Sequence, residues 1–156
     1  MNVFAVAGLP EIRPGDDLGA LIDERVDLRP DDVRLVASTI VPKAEGRQAD
    51  FADFPAGERS PAIADRVSEL AGEQKDHRFA QAVIEESEEL LFSFPIMLAV
   101  TRFGHITVNA GIDRSNVPDA DLLLLPEDPA ASARDLHEEL GARVVVTDTS
   151  GRPFRY

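Results

Sequence analysis

Four short stretches carry the residues whose types and spacing could do chemistry. Asn109-Ala110-Gly111-Ile112-Asp113-Arg114-Ser115-Asn116 puts a carboxylate, a guanidinium and an amide just after a run of small residues. Asp113 offers a hard oxygen to a divalent cation, Asn116 an amide, and Arg114 a fork of donors for an anion. The small residues let the backbone approach a ligand. The same string also reads as a turn rich in Asp and Asn, and its residues alone leave both readings open. Asp148-Thr149-Ser150-Gly151-Arg152 could hold Mg²⁺ or Mn²⁺ while substrate phosphates complete the octahedron, or it could be a cap or turn. Lys43, one of two lysines in the chain, follows a strand and is a candidate phosphate contact; equally, it could be a charge guarding a sheet edge. Gly8-Leu9-Pro10-Glu11-Ile12 could lay backbone groups against a nucleotide, or simply turn the chain.

Other polar groups read as structural. Glu85, Glu86, Glu88 and Glu89 form a solvated face. His77, His105 and His137 have no ligand-like spacing. There is no Walker phosphate loop and no Gly-x-Gly-x-x-Gly, so a nucleotide bound here would need another arrangement.

The elements that must position these groups follow from periodicity and punctuation. Val3–Ala7 reads as a short buried strand turned by Gly8-Leu9-Pro10. Asp16 or Asp17 caps a short helix with Leu18, Leu21 and Ile22 on one face. Pro30-Asp31-Asp32 is a turn, and Val33–Ser38 is a strand that could continue through Ile40-Val41. Residues 50–60 form a loop. One helix then carries Ile63, Val67 and Leu70, and a second, starting near Asp76, carries Phe79, Val83 and Leu90. Ile96, Leu98 and Val100 alternate as in a half-buried strand, and Phe103-Gly104-His105 turns it into Ile106–Asn109. Leu122–Leu125 is a fully apolar strand. Asp128-Pro129 starts a helix with Ala133, Leu136 and Leu140 buried, and Gly141 stops it. Arg143–Thr147 is the next strand. Together these last elements predict a right-handed βαβ crossover that delivers Asp148-Thr149 to a carboxyl edge, where α/β sheets bind ligands.

Composition sets limits. The chain has 156 residues, 29 acidic against 16 basic, with a net charge of −13. That length suits one domain with a real core. The acidity argues against a nucleic-acid partner, and no apolar run is long enough for a membrane helix. With no cysteine, disulfides and thiolate zinc sites are excluded. No secretory signal is visible at the N-terminus. Sixteen Asp and only two Lys give the kind of surface expected in a halophilic archaeal cytoplasm, or that of an ordinary acidic bacterial or archaeal protein.

Read in order, the motifs resemble the coenzyme F420-0:L-glutamate ligase family, the γ-glutamyl ligases. The matching strings are Gly8–Ile12, Gly15–Leu18, Ser38–Arg47, Glu86-Ser87, Thr101–Gly104, Asn109–Val117, Leu125–Pro129 and Thr147–Pro153. They cover nearly the whole chain, and the strings around Asp113 and Asp148 are together highly specific. The resemblance implies a GTP-dependent ligase that activates the terminal carboxylate of coenzyme F420-0 as an acyl phosphate, which the amine of L-glutamate attacks. It implies that Leu9, Pro10, Glu11, Ile12, Ser38, Thr39, Lys43 and Asn116 contact GTP. It further implies that Asp113 and Asp148 hold one Mg²⁺ or Mn²⁺ and Thr149 a second, with K⁺ assisting, in a cytoplasmic homodimer. Two departures stand out: Thr39 where the family usually has Lys, and Pro42 where it has Ser.

The expected fold is α/β or α+β with mixed sheets, a single domain over residues 1–156 with the βαβ unit near the C-terminus. Family members continue for roughly another 90 residues past the matched part, so a member lacking the C-terminal part of the fold is expected. The alternative to a working ligase is a non-catalytic remnant that folds or dimerises.

Overall fold

The computed structural model describes residues 2–72, 74–114 and 117–147. In chain order its elements are α1 (Leu18–Asp23), β1 (Val33–Ala37), α2 (Ile40–Ala44), β2 (Gln48–Ala49), α3 (Ser60–Ala71), α4 (His77–Glu85), β3 (Ser87–Phe92), β4 (Leu98–Thr101), β5 (Ile106–Val108), β6 (Leu122–Leu123), α5 (Pro129–Leu140) and β7 (Arg143–Thr147). A short 3₁₀ turn covers Phe51–Asp53, and a tight left-handed turn covers Asn109–Gly111. The class is α+β, as expected, and each small sheet among the described residues is either wholly parallel or wholly antiparallel. The chain forms two compact units, one from residues 1–47 and 126–156, the other from residues 48–125.

In the first unit, β1 and β7 pair in parallel, Val33 opposite Arg143 through Ala37 opposite Thr147. Local signals start and stop its helices. The Asp17 carboxylate accepts the Ala20 N–H at 2.8 Å and caps α1. Asp128 caps α5 through the Ala131 N–H at 2.8 Å, Pro129 occupies the first turn, and Gly141 ends the helix at φ 60°. The apolar faces meet in a small core of Ile12, Leu18, Val36, Val41 and Leu136, flanked by Val144 and Val146.

In the second unit, β3, β4 and β5 form an antiparallel meander, and β2 pairs with β6. The amphipathic helices α3 and α4 bury Ala64, Val67, Phe79 and Val83 with Met97, Ala99, Ile112 and Leu122 in a larger core.

Several expectations are corrected. The βαβ crossover does not form, because β6 pairs with β2 in another sheet and β7 takes β1 as its parallel partner. Pro126 follows β6 closely, and the strand is only two residues long, too short to compete for β7. Val3–Ala7 is not a strand; Val3 and Phe4 are exposed. Residues 40–44 turn into helix α2 rather than continuing β1, since Pro42 removes a ladder donor but fits a helix's first turn. Leu90 lies in β3, after α4 ends at Glu85. In β4 the deeply buried side chains are Ala99 and Thr101, the opposite set from Leu98 and Val100: small residues face the crowded helix side.

Candidate functional site

The first unit gathers the residues expected to meet a nucleotide, apart from Asn116. Segment 9–15 lies against α2, with the Gly15 N–H donating to the Ala44 carbonyl at 2.8 Å. From that segment Glu11 Oε1 accepts from Lys43 Nζ at 2.6 Å. The Lys43 side chain is only 6% exposed, whereas the Glu11 side chain is 56% exposed. A buried ammonium needs an anion, and here a solvent-facing carboxylate serves. Lys43 is therefore not a charge guarding a sheet edge. Ser38 and Thr39 lead into the same helix. The Ser38 N–H donates to the Thr147 carbonyl at 2.7 Å, which ties the end of β1 to β7. Thr39 occupies the N-cap position of α2, but its hydroxyl makes no capping bond. Leu9 and Pro10 run toward Glu11 without regular structure, and Ile12 is buried in the small core. Sequence separation hid this meeting: Glu11 and Lys43 are 32 residues apart.

The second unit holds Asp113 at the end of an unusual backbone. Asn109, Ala110 and Gly111 adopt φ values of 55°, 52° and 72°. Two consecutive non-glycine residues in the left-handed region are costly, and such strain clusters at functional sites. Packing holds the loop in place. Ala110 is buried, the Asn109 N–H donates to the Met97 carbonyl at 2.7 Å, and the Leu125 side chain fills the space a Cβ on Gly111 would need. Asp113 then exchanges backbone hydrogen bonds with Leu123, 3.0 and 2.9 Å, which fixes its position. Arg114, expected as an anion fork, lies over the Phe51 and Phe79 rings at 5.3 and 5.4 Å, as a guanidinium does on aromatic faces.

Asp148, Thr149 and Asn116 lie outside the described residues. Asp113 is thus the one described member of the expected metal set. Its hard oxygen chemistry suits Mg²⁺ or Mn²⁺, and among the described residues no group of three His, Asp or Glu side chains gathers to hold an ion.

Elsewhere the polar groups are structural. Glu86, expected on a solvated face, is instead largely buried and ion-paired with Arg102 at 3.1 Å, while Glu85, Glu88 and Glu89 are exposed. Arg102 also donates to the Glu85 carbonyl, which joins the β4–β5 turn to the end of α4. His77 bonds Asp65, His105 packs edge-on against Phe103, and His137 bonds the Ala142 carbonyl. Hydrogen bonds from Arg78 hold the Asp76 carboxyl below the usual carboxylate range, and raise Arg78 in turn.

Residues 8–156 match the family model described as F420-0:Gamma-glutamyl ligase. The chain is 69% identical over 156 residues to the coenzyme F420:L-glutamate ligase of Natronomonas pharaonis and 68% identical over 157 residues to that of Halorubrum lacusprofundi. In both comparisons the match covers 100% of this chain and 62% of the relative. The ligase of Archaeoglobus fulgidus is 47% identical over 161 residues, covering 99% of this chain and 62% of that protein. The chain thus spans about three fifths of the length of these curated relatives. No helix among the described residues is long and apolar enough to cross a membrane.

Proposed function

The chain belongs to the F420-0:Gamma-glutamyl ligase family, and on that premise we propose that it serves a GTP-dependent ligation of L-glutamate to the terminal carboxylate of coenzyme F420-0. The observation that carries this reading is the buried Lys43 ammonium held by Glu11. Two segments that the family resemblance assigns to the nucleotide meet in one compact unit, around a cation able to take a phosphate.

The chemistry asks for alignment and charge neutralisation more than for a protein nucleophile. A carboxylate oxygen of F420-0 attacks the γ-phosphorus of GTP, forming an acyl phosphate and releasing GDP. The glutamate amine then attacks the acyl carbon, losing a proton, and inorganic phosphate leaves. In this account Lys43 offsets charge on the nucleotide phosphates. Ser38 and Thr39, at the entry to the same helix, offer hydroxyls, the Leu9–Ile12 segment lines the nucleotide, and Asn116 bonds it. Asp113 and Asp148 would hold one Mg²⁺ or Mn²⁺ and Thr149 a second, with K⁺ assisting; such ions would neutralise phosphate oxygens. The strained loop supports the role of Asp113, because it and the backbone bonds to Leu123 fix the main chain from which that carboxylate projects. The working form in this reading is a cytoplasmic homodimer.

The test is mass spectrometry after incubation with GTP, Mn²⁺, L-glutamate and F420-0, with the Natronomonas pharaonis relative as positive control. A GTP-dependent gain of one glutamyl unit is expected. A working control beside a chain that neither adds mass nor binds GTP would overturn the reading.

A further inference from the structure

Strand β1 carries an anomaly that the nucleotide site does not use. Arg34, its second residue, is 9% exposed, yet its Nε is buried without a hydrogen-bond partner. Its guanidinium makes no ion pair among the described residues. A buried guanidinium N–H without an acceptor is costly, so an acceptor is expected there.

The strand edge beside it is also unsatisfied. The Ser38 N–H and the Asp32 carbonyl bond toward β7. By the alternation of a strand, Arg34 and Val36 face β7 with their backbone groups, while Val33, Leu35 and Ala37 point theirs to the other side. Among the described residues no backbone hydrogen bond meets that second edge.

A groove of about 700 Å³ runs along it, lined by every residue from Asp31 to Ala37 and also by residues 2–6 of the chain's own N-terminal segment, Leu9 and Ile22. Consecutive residues of a strand point to alternate faces, so all seven line one groove only if it follows the strand's edge. At roughly 3.3 Å per residue its length suits an extended segment of about six residues. A parallel pair of strands, moreover, is normally part of a wider sheet covered on both faces.

We propose that the open edge of β1 receives an extended polypeptide segment from the two fifths of the family protein that the match leaves uncovered, with an acceptor of that segment bonded to Arg34. The length of the relatives argues for this occupant: 38% of each, by difference from the 62% covered, has no counterpart in these residues. The segment adds a third strand, takes up the backbone groups of Val33, Leu35 and Ala37, and covers the exposed Val33 and Leu35 side chains. This is strand addition at a sheet edge with an arginine anchor.

The experiment joins this chain to the uncovered region of the Natronomonas pharaonis relative and compares backbone amide exchange, residue by residue, with that of the chain alone. Exchange at Leu35 and Ala37 slows at least tenfold in the joined protein, independently of its concentration, and changes less at Arg34 and Val36. Arg34→Met leaves the melting temperature of the chain alone unchanged or raised, and removes the extra protection in the joined protein; Arg34→Lys retains part of it. Three results would overturn the proposal. The first is unchanged exchange at Leu35 and Ala37. The second is protection that grows with concentration in the chain alone, which makes a second copy the occupant. The third is a chain alone that melts lower as Arg34→Met, which makes Arg34 an internal structural residue.

Discussion

In residues 48–125 the departure from easy folding is in the backbone, whereas in the unit built from the chain's two ends it is in buried charge. The first region packs six buried helix positions, Phe79 among them, and the rings of Phe51 and Phe54 into one apolar core, and that core holds three consecutive left-handed residues ahead of Asp113. The second has a small core and yet buries two cations, Lys43 and Arg34. A large core can hold a strained loop because it over-determines the loop's position. A small core cannot absorb much strain, but it can shield a cation from water if a carboxylate lies at hand. Local rules are broken in both places, and broken rules mark the sites where function is expected.

Breaking the core that holds the strain should have the largest effect. Phe79→Ala should cost about 3–5 kcal/mol, read from urea unfolding, and should remove the ring beneath Arg114. Gly111→Ala comes next, at about 2–3 kcal/mol, because it adds a Cβ at φ 72° against Leu125. Glu11→Gln probes the other strategy. It strips a buried ammonium of its counterion, but Glu11 is half exposed and water screens the loss, so about 1–2 kcal/mol is expected. Added tripolyphosphate should restore most of that loss in a thermal melt, and should fail to do so if Lys43 is not an anion site. Removing a cap from the small-core unit, Asp128→Ala, should cost about 1 kcal/mol.

The smallest effect is a pH dependence. The Asp76 carboxyl titrates lower in the folded protein than in the unfolded chain, because Arg78 donates to it. Its contribution is therefore present above the unfolded value, near pH 4, and fades as pH falls through the lower folded value. Unfolding curves from pH 5 downward should show a shallower loss in Asp76→Asn than in the parent chain, and equal slopes would remove the assignment.

How much of this was legible in the sequence depends on how local the cause was. The caps of α1 and α5, the stop at Gly141 and the hairpin turn at Gly104 are set by neighbours within four residues and were readable, although Asp16 and Asp17 read alike as the first cap. Strands β1 and β7 were readable as strands. Their pairing was not, because nothing near Val33 announces a partner at Arg143. Pro42 decided the helix at 40–44 against a continued strand, and the short apolar run there was ambiguous. The candidate site was visible as motifs, but the contact between Glu11 and Lys43 depends on tertiary packing. Arg34 gave no signal, because an arginine in a strand ordinarily faces water.

The most direct test of the account is titration of GTP with Mg²⁺ into the chain and into Lys43→Met, with thermal melts showing that both are folded. The account predicts that binding to the variant weakens at least tenfold. Equal affinity in the two would contradict it.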